Sequence, residues 1–291
     1  MAIITVDHLR KTYGTRVAVE DVSFSVKEGE VFGIVGRNGA GKTTTVECVA
    51  GLRTPTAGTV TVDADLKEQV GVQLQECSLP DKIRVGEALA LYASFYARPA
   101  DWRALAEEAG LDLRAPFGKL SGGQRQRLSV ALALVGSPRI AILDELTTGL
   151  DPRARRETYD LIARIRERGV TILLVTHFME EVERLCDRVA VISRGRVRAV
   201  DTPEGLVARA GGEQRLVFHT DEPVDALRAL PEVASVTVAD GANAPEVTVT
   251  GTGELLSAVT AVLPPSRTRG LRMERTTLDD AFLVLTGQEE S

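Results

Sequence analysis

The stretch Val31-Phe32-Gly33-Ile34-Val35-Gly36-Arg37-Asn38-Gly39-Ala40-Gly41-Lys42-Thr43-Thr44 decides how the rest of the chain is read. Val31 to Val35 is apolar on both faces, which suits a strand buried in the middle of a parallel sheet. Gly36 to Thr43 fits G-x-x-x-x-G-K-[ST], and a helix is expected from Lys42 to Ala50. In the order strand, loop, helix, this pattern is a phosphate site. Gly36, Gly39 and Gly41 let the backbone bend so that the N–H groups of the loop face inward. The loop therefore supplies Gly36, Arg37, Asn38, Gly39, Ala40, Gly41, Lys42, Thr43 and Thr44 as the candidate nucleotide-binding set. The positive end of the helix adds to the same field. Lys42 is placed for the β- and γ-phosphates and the Thr43 hydroxyl for Mg²⁺. The plain alternative is a glycine-rich turn before Lys-Thr. The dinucleotide fingerprint G-x-G-x-x-G is not met, because Gly39-Ala40-Gly41 runs into Lys42-Thr43-Thr44.

A second apolar strand, Ile140 to Leu143, ends in Asp144-Glu145. In open α/β sheets ligands sit beyond the carboxyl ends of the strands. Asp144 can thus reach a metal, and Glu145 can accept a proton from an attacking water. Read alone, the pair is an acidic strand cap in solvent; the phosphate loop upstream changes that reading. Leu120-Ser121-Gly122-Gly123-Gln124 begins 24 residues before Asp144. Ser121 can cap the helix that starts near Gln124, and the two glycines leave its first N–H groups open to an anion.

With these partners in this order, the chain resembles the ABC ATPase family over residues 1–205. The resemblance implies a P-loop NTPase of α/β class with an antiparallel β subdomain and a helical subdomain. It also implies ATP and Mg²⁺ as ligands and hydrolysis of ATP. Two subunits would pair head to tail, the signature Ser121 to Gln124 of one covering the γ-phosphate held by the other. By position, Tyr13 resembles the aromatic that stacks on adenine, and Gln75 the glutamine that contacts Mg²⁺ and water. Asp151 resembles the residue that crosses the dimer interface, and His177 the histidine that holds the γ-phosphate and orients the catalytic carboxylate. The implied catalytic set is Glu145, His177 and Lys42; the implied metal set is Thr43, Gln75 and Asp144.

Duller readings stand beside these. Tyr13 can be an exposed aromatic at a turn. Asp151, before Pro152, is also a good helix N-cap and can do both jobs. Gln73 lies near Gln75 but fits the family register less well. His8 and His219 match nothing and are read as surface residues. The family usually has Pro where this chain has Leu146, and the stretch between Gly58 and Gln75 is shorter than usual.

The remaining bounds agree with a globular motor. The chain has 291 residues, 44% hydrophobic and 26% charged, an ordinary folded balance. A net charge of −6 argues against a nucleic-acid partner, whose phosphates demand Lys and Arg. Cys48, Cys77 and Cys186 are scattered and lack metal-ligand spacing, as expected of free thiols in a reducing compartment. No signal peptide is visible, and no apolar run approaches the ~18 residues that a membrane span needs. Membrane work would require a partner. The nucleotide-binding domain is expected over 1–208, with its helical subdomain over 76–137 and a boundary at Gly211-Gly212. A small C-terminal α+β domain follows over 213–291, with a βαββαβ order suggestive of a ferredoxin-like sandwich.

Within the family, the closest likeness is to drug-exporter ATPases of the daunorubicin-resistance type. It rests on Phe117-Gly118-Lys119, on the segment Thr176-His177-Phe178-Met179-Glu180-Glu181-Val182-Glu183-Arg184-Leu185-Cys186-Asp187, and on the tail Thr277 to Gly287. That likeness implies a homodimer of ATPase subunits driving a separate membrane permease, peripheral on the cytoplasmic face of the membrane. An importer ATPase or a non-transport ABC ATPase stays open as the alternative.

Overall fold

The computed structural model describes residues 1–73, 78–210, 214–239 and 245–287. They form two compact units, Met1–Pro203 and Glu204–Ser291.

The first unit is built on a nine-stranded sheet. Strands β1 (Ala2–Tyr13), β2 (Arg16–Lys27) and β4 (Ala57–Val62) form its antiparallel end, β1 pairing with both of the others. The parallel part holds β3 (Val31–Val35), β5 (Val70–Gln73), β6 (Ile140–Asp144), β7 (Thr171–Thr176) and β8 (Arg188–Ser193). Strand β9 (Arg196–Asp201) returns antiparallel to β8. Arg194 and Gly195 both have positive φ, 51° and 72°, the requirement of the tight two-residue turn that joins β8 to β9. The full order is β4-β1-β2-β9-β8-β3-β7-β6-β5.

Strands β3, β6 and β7 are buried at every position, so their apolar runs fill the middle of the sheet. Register then positions the site. Val35 lies opposite Thr176, and Asp144 lies opposite Val175. The carboxyl ends of β3, β7 and β6 are therefore flush, and the residues that follow them emerge along one edge.

Helix α1 (Lys42–Val49) follows β3. The segment between β5 and β6 is helical, with α2 (Val85–Ala93), α3 (Trp102–Glu108) and α4 (Gly122–Leu134). Helix α2 ends at Ala93. Ser94 caps it and turns its hydroxyl onto the Leu91 carbonyl at 2.6 Å. Helix α4 seats its backbone against β5: a Cβ on Gly71 would stand 1.9 Å from the Ala133 carbonyl oxygen, so only glycine permits this approach. Helix α5 (Pro152–Glu167) precedes β7, and α6 (Met179–Leu185) follows it.

In the second unit, α7 (Pro203–Arg209) leads to a four-stranded antiparallel sheet. Its strands are β10 (Gln214–His219), β11 (Val233–Ala239), β12 (Glu246–Gly251) and β13 (Arg269–Arg275), in the order β11-β12-β10-β13. Leu216, Phe218, Val247 and Val249 of the sheet pack with Leu227, with Leu255 and Val259 of α8 (Leu255–Val262), and with Leu263. The first helix expected here, Val224–Leu230, is only a 3₁₀ turn, Asp225–Ala229, a form used for such short pieces. Helix α9 (Leu278–Thr286) closes the unit, capped by Thr277. The division falls just after Pro203, the first residue of α7; the expected boundary Gly211-Gly212 lies outside the described residues. Among the described residues, no helix is long and apolar enough to cross a membrane.

Candidate nucleotide site

Three chain segments converge where β3, β6 and β7 end. After β3, the glycine loop makes close approaches that a side chain would block. A Cβ on Gly36 would lie 2.4 Å from the Ile192 carbonyl oxygen, and one on Gly41 would lie 2.7 Å from that of Ala18. Gly41 also has φ of 104°, a value L side chains rarely adopt. Arg37, Asn38 and Gly39 are exposed at the loop crest, whereas Ala40 is buried beneath it. Lys42 is buried, and its ammonium donates to the carbonyls of Gly36 at 2.8 Å and Arg37 at 3.3 Å. Burial pushes the Lys42 pKa down, opposed by the carboxylates of Glu145 and Asp144. Thr43 and Thr44 open the first turn of α1, Thr43 exposed and Thr44 half-buried.

At the end of β6, Asp144 is fully buried, and its Oδ2 has no hydrogen-bond partner. Burial first, and then the Glu145 charge, raise its pKa to about 6, with Lys42 acting the other way. A buried acceptor without a donor fits a cation. The oxygens of Asp144 and Thr43 suit the hard, oxygen-seeking Mg²⁺. The Asp144 amide donates to Gln73 Oε1 at 3.1 Å, so β5 steadies this turn. Gln73 was set aside in favour of Gln75 on register; Gln75 lies outside the described residues.

Glu145 leaves the strand with φ of 50°, and its N–H donates to the Val175 carbonyl at 2.9 Å. Its Oε1 is 3.4 Å from His177 Nδ1. Glu145 and the loop residues Asn38, Gly39, Gly41, Lys42, Thr43 and Thr44 line one cleft of about 330 Å³. Across it stand Arg16, Val17 and Ala18 from the start of β2. Arg16 carries no motif, and nothing in its sequence context singles it out. Tyr13 is exposed at the end of β1 and is not among the residues lining this cleft; Lys11 and Arg53 approach its ring at 5.2 and 6.0 Å.

The signature lies elsewhere. Ser121 caps α4 in a reciprocal box: the Gln124 N–H donates to Ser121 Oγ at 3.2 Å, and the Ser121 N–H donates to Gln124 Oε1 at 2.9 Å. Gly122 opens the helix, and Gly123 packs so close to α5 that a Cβ would meet that of Ala154 at 2.6 Å. Asp151 caps α5, accepting from the N–H groups of Arg153 and Ala154, each at 3.0 Å. Those bonds, the Ala154 amide foremost, lower its pKa. Ser121, Gly123, Gln124 and Asp151 line a separate cleft of about 650 Å³. Neither histidine outside the motifs enters a site. His8 is exposed, 3.0 Å from Asp21, and His219 is half-buried, 3.8 Å from Glu246.

A phosphate loop at a sheet edge, beside a buried aspartate and an acid–histidine pair, defines a P-loop ATPase. The family profile described as ABC transporter matches residues 19–148. The chain is 36% identical to the Nod factor export ATP-binding protein I of Ralstonia nicotianae, the match covering 99% of this chain and 94% of that protein. It is 31% identical to the linearmycin resistance ATP-binding protein of Bacillus subtilis, covering 98% and 99%. Among solved structures, it superposes on a bacterial ABC transporter cassette solved as a dimer. That likeness has a TM-score of 0.61 and 25% identity, covering 68% of this chain and 98% of the other. The chain belongs to the ATP-binding subunits of ABC transporters, a family of ATP hydrolases.

Proposed function

We propose that the chain powers an exporter of drug-like or other small molecules, as a head-to-tail homodimer seated on a separate integral membrane permease. Full-length likeness to the Nod factor export and linearmycin resistance proteins supports export. The observation that carries the dimer is the separation of clefts. Ser121 and Asp151 share one, Lys42 and Glu145 the other, which supports a second copy bringing the two together.

In this reading, the loop amides and Lys42 hold the triphosphate, and Tyr13 stacks on the adenine. Thr43, Asp144 and Gln75 would hold Mg²⁺, which would supply positive charge against the phosphate oxygens. Glu145 takes the proton of the attacking water, and His177 keeps its carboxylate oriented. The partner's copy of the signature, Ser121 to Gln124, closes over the γ-phosphate only when nucleotide is present, so ATP biases a two-state dimer. Closure reaches the permease through the Gln75 segment and the neighbouring Leu79-Pro80-Asp81. The protein then sits peripherally on the cytoplasmic face of the membrane. Residues 1–208 serve as the motor domain and 213–291 as an accessory domain.

Mixing two dead variants tests the pairing. Ser121→Arg blocks the signature, and Lys42→Ala cripples the loop. Random pairing of the two leaves about a quarter of composite sites intact. The mixture is expected to recover ATPase activity that neither variant has alone. A mixture as inactive as its components would show that each chain completes its own site. Co-purification of the chain with a multi-span membrane protein tests the permease, and its absence from detergent-solubilised membranes would count against one.

A further inference from the structure

Between Glu145 and Asp151 the chain must hold its course after an unfavourable backbone step, and a buried acid with no role assigned so far does part of the holding. Leu146 and Thr147 are both buried directly after Glu145. The Thr147 hydroxyl donates to Oε1 of Glu181, a residue with no exposed surface. Glu181 belongs to α6, which begins just after His177. The turn between them is pinned by a second hydroxyl, that of Thr176, which accepts from the Phe178 N–H at 3.0 Å.

A carboxylate in this position is costly unless it is compensated. Burial raises the Glu181 pKa, and the hydroxyls of Thr147 and Thr176 oppose that rise, as do the charges of Arg155 and His177. Helix α5 supplies two of the groups that face it. Arg155 pairs with Glu180 at 3.1 Å and lies 5.5 Å from the Phe178 ring centre. Tyr159 is buried; burial first, and then the Glu181 charge, push its pKa up to about 12, with the Thr147 hydroxyl acting the other way. An apolar side chain would fill this space without such costs, so the acid calls for another reason to be there.

We propose that Glu181 is a positioning residue for hydrolysis: it ties the Glu145–Asp151 segment to the turn that carries His177. It touches no nucleotide. Its bond to Thr147 complements the one between the Glu145 N–H and the Val175 carbonyl. Together they fix the Glu145 carboxylate against His177 from both sides. The inference rests on the hydrolytic roles given above to Glu145 and His177.

The test uses the full chain with Glu181→Ala, Glu181→Gln, Thr147→Val and the Glu181→Ala/Thr147→Val pair. Steady-state ATPase and thermal melting are measured on each. Thr147→Val and Glu181→Ala should each lower kcat by about ten- to a hundredfold, the scale of a small misplacement. KM for ATP should stay within about twofold, because ground-state binding is untouched. The double variant should be no worse than the more damaged single, as expected of two groups that act as one. Glu181→Gln keeps an acceptor oxygen for Thr147 and should recover most of kcat. Wild-type kcat in Thr147→Val, or a loss confined to KM, overturns the proposal; if Glu181→Ala does not fold, Thr147→Val and Glu181→Gln decide alone. Glu145→Gln, run alongside, separates the two claims. If it abolishes turnover while the Glu181 and Thr147 variants are unaffected, only the tie is wrong. If it turns over normally, the roles beneath the tie fail as well.

Discussion

Glu145→Gln is expected to lower kcat by about 10²- to 10⁴-fold, the usual worth of a general base, while ATP binding holds or tightens. The exchange preserves volume and the N–H bond to Val175, so the turn keeps its path. It removes a negative charge beside Lys42 and Asp144, which each feel Glu145 electrostatically. Less repulsion faces an incoming triphosphate, and the closed dimer should persist because nothing discharges it. Single-turnover hydrolysis and the mass of the ATP-bound species measure both halves. Near-normal turnover would remove Glu145 from its role. Tight nucleotide binding to monomers alone would remove the dimer.

Lys42→Ala is expected to cost on the order of a hundredfold in ATP affinity, the loss of about 3 kcal/mol from a buried charge-assisted contact. The ammonium is almost out of solvent already and bonded to the Gly36 and Arg37 carbonyls. Little further desolvation is therefore needed when phosphate oxygens arrive. The deficit should be larger for ATP than for ADP if Lys42 takes its proposed place between the β- and γ-phosphates. Calorimetric titration of both nucleotides checks this, with melting curves to show that the loop still folds. Equal affinity in variant and parent would contradict the phosphate-loop reading.

Much of the fold was legible because its central strands have nowhere to hide. Val31–Val35, Ile140–Asp144 and Thr171–Thr176 are apolar at nearly every position, and each is fully buried. Two caps were equally plain, since Ser121 and Asp151 hold their helices by the bonds their side chains suggest. Strand β5 was missed, because Val70–Gln73 is only four residues long and contains a glycine. Helix α7 was missed too, although Pro203 at its first position is a start signal. At the site, motifs pointed to the groups proposed to meet phosphate and metal. They did not mark Arg16, they set Gln73 aside in favour of Gln75, and they gave Glu181 no role of its own. Arg16 and Gln73 owe their places to register between distant strands, and Glu181 to the packing of α6 beneath the loop that follows β6. Residue spacing along a chain does not encode such cross-chain neighbours.

The left-handed backbone at Glu145 carries one last implication. A glutamate there works against its own conformational preference, at a cost of about 1–2 kcal/mol that glycine would avoid. If Glu145 is the base proposed above, turnover is what keeps an acid at this spot against that cost. Descendants released from hydrolysis should drift toward glycine or asparagine at position 145 before the glycine loop decays, leaving a recognisable molecular fossil of the lost reaction.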